Sequence, residues 1–129
     1  MSNALPWAHV LAVAIGAAFG ALARWFAGLW LNGQWAGFPL GTLLVNCVGG
    51  LLIGVALAWF ERSPDELLRL LLVTGLLGGL TTFSSFSGES LILLQRGQFM
   101  LALAHTAAHL FGSLAFAALG FWLLRSSLR

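Results

Sequence analysis

Leu40-Gly-Thr-Leu-Leu-Val-Asn-Cys-Val-Gly-Gly-Leu-Leu-Ile-Gly-Val-Ala-Leu-Ala-Trp-Phe60 contains no charged side chain. A helix needs about 20 mainly apolar residues to cross the hydrocarbon core of a bilayer. This run is long enough. To its N-terminal side, a second apolar run extends from Trp7 to Leu31, interrupted only by Arg24. Asn32-Gly33-Gln34 reads as the turn between them. To the C-terminal side lie runs from Leu67 to Leu94 and from Phe99 to Leu124, separated by Gln95-Arg96-Gly97-Gln98. The one strongly polar connection is Glu61-Arg62-Ser63-Pro64-Asp65-Glu66. Ser63 is expected to cap the third helix, with Pro64 at its first position and Glu66 at its third.

The sequence therefore predicts an all-α membrane protein, with residues 1–129 forming one domain of four transmembrane helices. It leaves room for no soluble catalytic domain, and no enzyme is expected. Composition agrees. The chain is 60% hydrophobic and 8% charged, with a mean hydropathy of +0.95. A soluble domain of this size exposes much of its area and needs more charge to cover it. The net charge of +2 does not point to nucleic acid. All the basic residues are Arg, and they are scattered at 24, 62, 69, 96, 125 and 129, which builds no phosphate-binding face. They fit helix ends at the headgroups, as do the Trp residues near the span termini. No Lys or Arg precedes the first apolar run, so it reads as a retained span rather than a signal peptide. Cys47 lies alone in an apolar run and reads as packing.

Small residues four apart recur at Gly16/Gly20, Gly50/Gly54 and Gly75/Gly79, a spacing that lets helix backbones approach closely in lipid. Orientation is less determined. Arg62, Arg69, Arg125 and Arg129 fall on the side of the termini, against Arg24 and Arg96 on the other. This bias is weak for the positive-inside rule. It leaves open a fixed topology and a dual topology with antiparallel pairing, the two-chain equivalent of an inverted repeat.

The chemistry concentrates in the third run, at Gly78-Gly79-Leu80-Thr81-Thr82-Phe83-Ser84-Ser85-Phe86-Ser87-Gly88-Glu89. Adjacent glycines followed by hydroxyl residues predict a helix broken near its middle. Freed backbone groups at that depth are tolerated only when buried in protein, or when lining water or an ion. The alternative is an unbroken helix with a small, hydroxyl-rich packing face. Phe83 and Phe86 share a face, with Ser87 and Ser90. An aromatic ring is positive at its edge and can solvate a small anion without a formal charge. On the second run, Thr42 and Asn46 share a face. The Asn46 amide either donates to an anion or bonds a neighbouring helix. On the fourth, His105, His109 and Ser113 form a polar stripe that should face protein or water. The two His have a spacing that suits metal, but no third ligand is evident. Glu89 is the only acid well inside a span.

These segments resemble the Fluc (CrcB-type) fluoride channel family. The resemblance covers nearly the whole chain and is carried by Gly20-Ala-Leu-Ala-Arg24-Trp25, by Gly41-Thr42-Leu-Leu-Val-Asn46-Cys-Val-Gly49-Gly50, and by Gly75 through Ser87. It implies a dual-topology antiparallel homodimer in the bacterial inner membrane, with two fluoride pathways and passive export of fluoride that entered as HF. It implies a structural sodium ion at the dimer centre, on the backbone carbonyls of Gly78 and Thr81. Phe83, Phe86 and Asn46 take the places of the family's pore residues. Thr42, Ser85, Glu89 and Ser113 take polar positions along or beside the pathway, and Arg24 that of an anchor in the first span. The chain departs from the family at His105 and His109, where members tend to carry Tyr or a small hydroxyl. If these line the pathway, permeation is expected to respond to pH. Rival readings are a small multidrug-type cation/proton antiporter, which needs an acid in the first span that this chain lacks, and a non-conducting structural subunit.

Overall fold

The computed structural model describes residues 5–35 and 37–129. Helix α1 spans Trp7–Leu31, α2 spans Leu40–Phe60, α3 spans Glu66–Gln95 and α4 spans Phe99–Ser127. Each is long and apolar enough to cross a membrane. The first two match the expected bounds. The last runs past Arg125, because a basic residue in a final turn favours the helix dipole rather than ending the helix.

The start of α3 corrects one expectation. The cap is Asp65, not Ser63: its Oδ1 accepts the Leu68 amide at 2.9 Å, from an extended backbone with φ −144° and ψ 106°. The helix begins only at Glu66, so the cap position falls on Asp65 and Ser63 lies two residues too early. A carboxylate also interacts well with the positive helix start. Helix α2 is started from a distance. Asn32, in the preceding turn, accepts the amides of Gly41 at 2.7 Å and Thr42 at 3.2 Å on Oδ1. Gly97 closes α3 at a φ of 72°. There the Gln98 amide donates to Leu93 O and the Gly97 amide to Leu94 O, the paired bonds of a left-handed helix stop.

Helix α3 is not regular. Leu70–Leu77 is wound as a π-helix. At Thr81 and Thr82 the backbone is extended (φ −85°, ψ 155° and φ −150°, ψ 115°), so the span bends there. The π winding passes beside α1, and π segments commonly accompany functional distortions of a helix.

The helices pack in two seams. Helix α1 lies along the first half of α3, and α2 lies along α4. The half of α3 beyond the bend rests chiefly on α4. Both seams are made by glycine. A Cβ on Gly16 or Gly20 would meet the carbonyls of Leu71 and Leu76, and one on Gly79 would meet Ala17 O. A Cβ on Gly54 would meet Ala117 O, and one on Gly120 would meet Leu51 O. In lipid there is little hydrophobic force between helices, so close backbone approach supplies much of the attraction. Large apolar side chains point outward instead: Phe19, Trp30, Phe111 and Trp122 are exposed, while the buried apolar set is small and includes Val45, Ala58 and Ala102. This inside-out distribution suits a bilayer and would aggregate in water.

The seams predict a contrast. Gly54→Val should cost at least about 1–3 kcal/mol by overpacking, seen as a lower melting temperature in detergent. Gly33→Ala, with nothing within 4 Å of the added carbon, should leave the melt unchanged. Equal melting of the two variants would refute the tight-seam account.

Candidate functional site

The bend in α3 leaves polar backbone inside the span, and its groups find partners one by one. In a regular helix the Thr82 amide would bond Gly78 O. Here it donates to Asn46 Oδ1 at 2.8 Å. Asn46 Nδ2 donates back to Thr82 O at 3.1 Å. One side-chain amide on α2 thus takes both hydrogen-bonding groups of one residue on α3. The Ser85 amide would ordinarily bond Thr81 O. It donates to the capping Thr82 Oγ1 at 3.1 Å instead, which starts a new helix at Phe83. Gly78 O and Thr81 O are thereby left without their regular helical partners. Thr81 Oγ1 donates to Leu77 O at 2.8 Å, and Thr81 sits against Gly49 of α2, where any side chain would collide with it.

Arg24 belongs to this same bend. Its Nε donates to Gly79 O at 3.0 Å, so the expected anchor is a partner for the first half of α3. The guanidinium is charged, and such bonds exceed neutral ones in strength. An arginine that interrupts an apolar run was the available signal.

A groove of about 690 Å³ opens beside the bend. Asn46, Gly78, Thr81, Phe83, Phe86, His109 and Ser113 all line it. Phe83 is 79% exposed in the single chain, with its ring centroid 5.4 Å from that of Phe86. Phe86 stacks on His105 at 5.4 Å and 12° and lies 4.8 Å from His109. Ser85 contributes its capped amide and stands outside the groove lining. Thr106, not singled out in the sequence, is part of that lining.

The histidine stripe faces protein, as a polar stripe in lipid must. His105 is fully buried and His109 is 5% exposed. His105 Nδ1 lies 2.9 Å from Ser90 Oγ, and Phe38 meets the ring edge-on. Glu89 Oε2 accepts the Thr42 hydroxyl at 2.8 Å, while Oε1 lies 3.4 Å from His105 Nε2. That approach is close enough for attraction and misaligned for a hydrogen bond. Glu89 also lines a smaller cavity of about 210 Å³ with Asn32, Phe38 and Arg96. Thr42, Glu89, His105, His109 and Asn46 therefore form one polar line between the two cavities.

The network assigns the His109 tautomer. The Thr82 amide can only donate, so Asn46 turns its oxygen there and its NH₂ toward His109 Nδ1, 3.0 Å away. Nδ1 of the neutral ring must accept, and the proton sits on Nε2. This nitrogen is buried with no partner. The Asn46 amide serves its two neighbours at once, so interhelical bonding is what the fold asks of it.

Asn46→Leu strands both Thr82 groups. Each buried unsatisfied group costs about 1–3 kcal/mol, so the thermal midpoint in detergent should fall by many degrees. A midpoint equal to that of the parent chain would show that the bend does not need this amide.

The chain has known relatives. A family model described as CrcB-like protein, Camphor Resistance (CrcB), matches residues 11–121. A Bordetella petrii protein is 55% identical over 122 residues, covering 93% of this chain and 94% of that protein. A Chromobacterium violaceum protein is 54% identical over 110 residues, covering 84% and 87%. A Pseudomonas aeruginosa protein is 51% identical over 116 residues, covering 88% and 91%. All three are named fluoride-specific ion channel FluC. The match runs through all four spans and the bend, and the chain, a multi-pass bacterial membrane protein, belongs to the CrcB family.

Proposed function

We propose that this chain is a fluoride-selective passive channel that exports cytoplasmic fluoride across the bacterial inner membrane. The names of its relatives support the reading. The observation that carries it is the groove at the bend, lined by Phe83, Phe86 and the side chains of Thr81, Thr82, Thr106 and Ser113 among apolar residues, with no Lys or Arg in the lining. Fluoride is small and strongly hydrated. A selective tunnel must replace its water with donors that bind well enough to admit the ion and weakly enough to release it. Ring edges of Phe83 and Phe86 meet that need, as do the Ser113 hydroxyl and the N–H of His109. A fixed ammonium or guanidinium would hold the ion.

The groove of one chain is open on one side, and Phe83 projects from it. We assign the missing wall to a second copy in the opposite orientation, which gives two equivalent tunnels per dimer. Thr42, Asn46, Ser85, Glu89 and His105 then stand along or beside each tunnel.

A structural sodium ion fits the chemistry of the bend. Gly78 O and Thr81 O are hard oxygen donors freed from helical bonding, and cations of this kind prefer carbonyl oxygen. One chain offers too few; an antiparallel copy doubles them at the shared centre. There the ion would compensate four carbonyl dipoles and tie the two bends together. The broken third helix is, in this reading, what creates both the cation site and the anion path.

Purified protein in liposomes should release fluoride, read by a fluoride electrode, and not chloride. Phe86→Ile should slow release at least about tenfold, a barrier change of roughly 1.4 kcal/mol. Absent efflux, or chloride moving as fast as fluoride, would reject the channel. Tags on the termini should report both orientations in one membrane, and a single orientation would reject the antiparallel pair.

A further inference from the structure

Three side chains on two helices converge behind Phe86. Glu89, His105 and His109 each offer one ligating atom, and these atoms all lie within 4.8 Å of one another. The fourth run alone supplied two histidines with no third partner; the fold brings Glu89 from α3. Each residue also holds a buried polar atom that makes no hydrogen bond: Glu89 Oε1, His105 Nε2 and His109 Nε2. Orphaned buried polar atoms are uncommon in folded proteins; here Glu89 Oε1 and His105 Nε2 face each other at 3.4 Å, His109 Nε2 has no partner, and one ion between them would serve all three.

We propose that Glu89, His105 and His109 form a binding site for a first-row divalent transition metal, with zinc as its natural probe. Two imidazoles and a carboxylate are a borderline donor set that suits zinc and leaves a coordination position open. Zinc bonds of about 2.0–2.2 Å place tetrahedral ligands roughly 3.3–3.6 Å apart, and Glu89 Oε1 and His105 Nε2 already stand 3.4 Å apart. Supporting partners exist for two of the three ligands. Thr42 holds the other oxygen of Glu89. Ser90 can accept from His105 Nδ1, which presents Nε2 with its lone pair free. Glu89 lines the cavity at the Arg96 end of the span, which supplies an entry path.

His109 sets the cost. Coordination through Nε2 moves its proton to Nδ1, toward the Asn46 amide that now donates there. Metal binding therefore breaks that one hydrogen bond in exchange for a coordinate bond. It also places a fixed dication between the two cavities, where an anion would be held too tightly to pass. The block of transport rests on the channel reading; the binding itself does not.

The experiment uses the untagged full-length chain in detergent, with equilibrium dialysis against zinc chloride. One ion per chain is expected. Glu89→Gln keeps the shape and the Thr42 contact and should weaken binding at least about tenfold, since even outer-shell losses cost 10–100-fold. His9→Gln, in α1, should bind as the parent does. Cobalt(II) bound to the parent chain should show the intense visible bands of a four-coordinate ion with nitrogen ligands, a readout that needs no variant. Less than one ion per chain at saturation, an unaffected Glu89→Gln, or an octahedral cobalt spectrum would each overturn the site. Saturating zinc should stop fluoride efflux from liposomes, and unchanged efflux would overturn its place in the pathway. A chain that binds zinc as described yet moves no fluoride in zinc-free buffer would retain the metal site and reject the channel instead.

Discussion

The pairing of the Asn46 amide with the N–H and C=O of Thr82 is the contact on which the site depends. A lipid interior offers no water to a freed backbone group, and each one left alone costs several kcal/mol. A helix can bend at mid-span only where other parts of the protein replace the lost bonds. Here an amide side chain imitates a peptide and takes both groups. Arg24 takes a third from the opposite side. The Thr82 hydroxyl restarts the helix. The carbonyls of Gly78 and Thr81 are left without their regular helical partners.

Such replacement demands accurate placement, and the glycine seams provide it. The α1–α3 seam brings Arg24 within reach of Gly79 O, and Gly49 on α2 receives Thr81 without clearance for a side chain. The seam contacts at Gly16, Gly20, Gly54, Gly79 and Gly120 run from backbone to backbone, so the spacing of the helices is set by their thinnest residues. Larger apolar side chains face outward and contribute to membrane solubility rather than to a core. The fold thus spends its small residues on geometry and leaves the groove to be shaped by Phe83, Phe86 and the fourth helix.

The polar line through Thr42, Glu89, His105, His109 and Asn46 runs on the inner faces of α2, α3 and α4 because no member of it could face lipid cheaply. Each residue settles its neighbour: Thr42 turns one oxygen of Glu89, Ser90 engages His105, and Asn46 decides which nitrogen of His109 carries hydrogen. A cluster left only partly satisfied is energetically costly. The atoms without hydrogen bonds sit against the stacked ring of Phe86.

Hydropathy alone determined the four spans and nearly all of their ends, because a bilayer requires about 20 apolar residues wherever a helix crosses it. The spacing of small residues determined that helices would touch backbone to backbone, and the Gly-Gly-Leu-Thr-Thr segment marked where α3 departs from a straight helix. Residue type also picked out Asn46 and the histidine stripe as out of place in lipid, and position after that segment picked out Phe83 and Phe86. Only the tertiary structure decided their partners. It turned the Asn46 amide toward Thr82, gave Arg24 its partner at Gly79 O, moved the α3 cap from Ser63 to Asp65, and brought Glu89 to the two histidines. The physical reason is that hydropathy and periodicity are local properties of the chain. Hydrogen bonds between residues such as 46 and 82, or 24 and 79, depend on how helices rotate and slide against each other, and that is settled by packing along the seams.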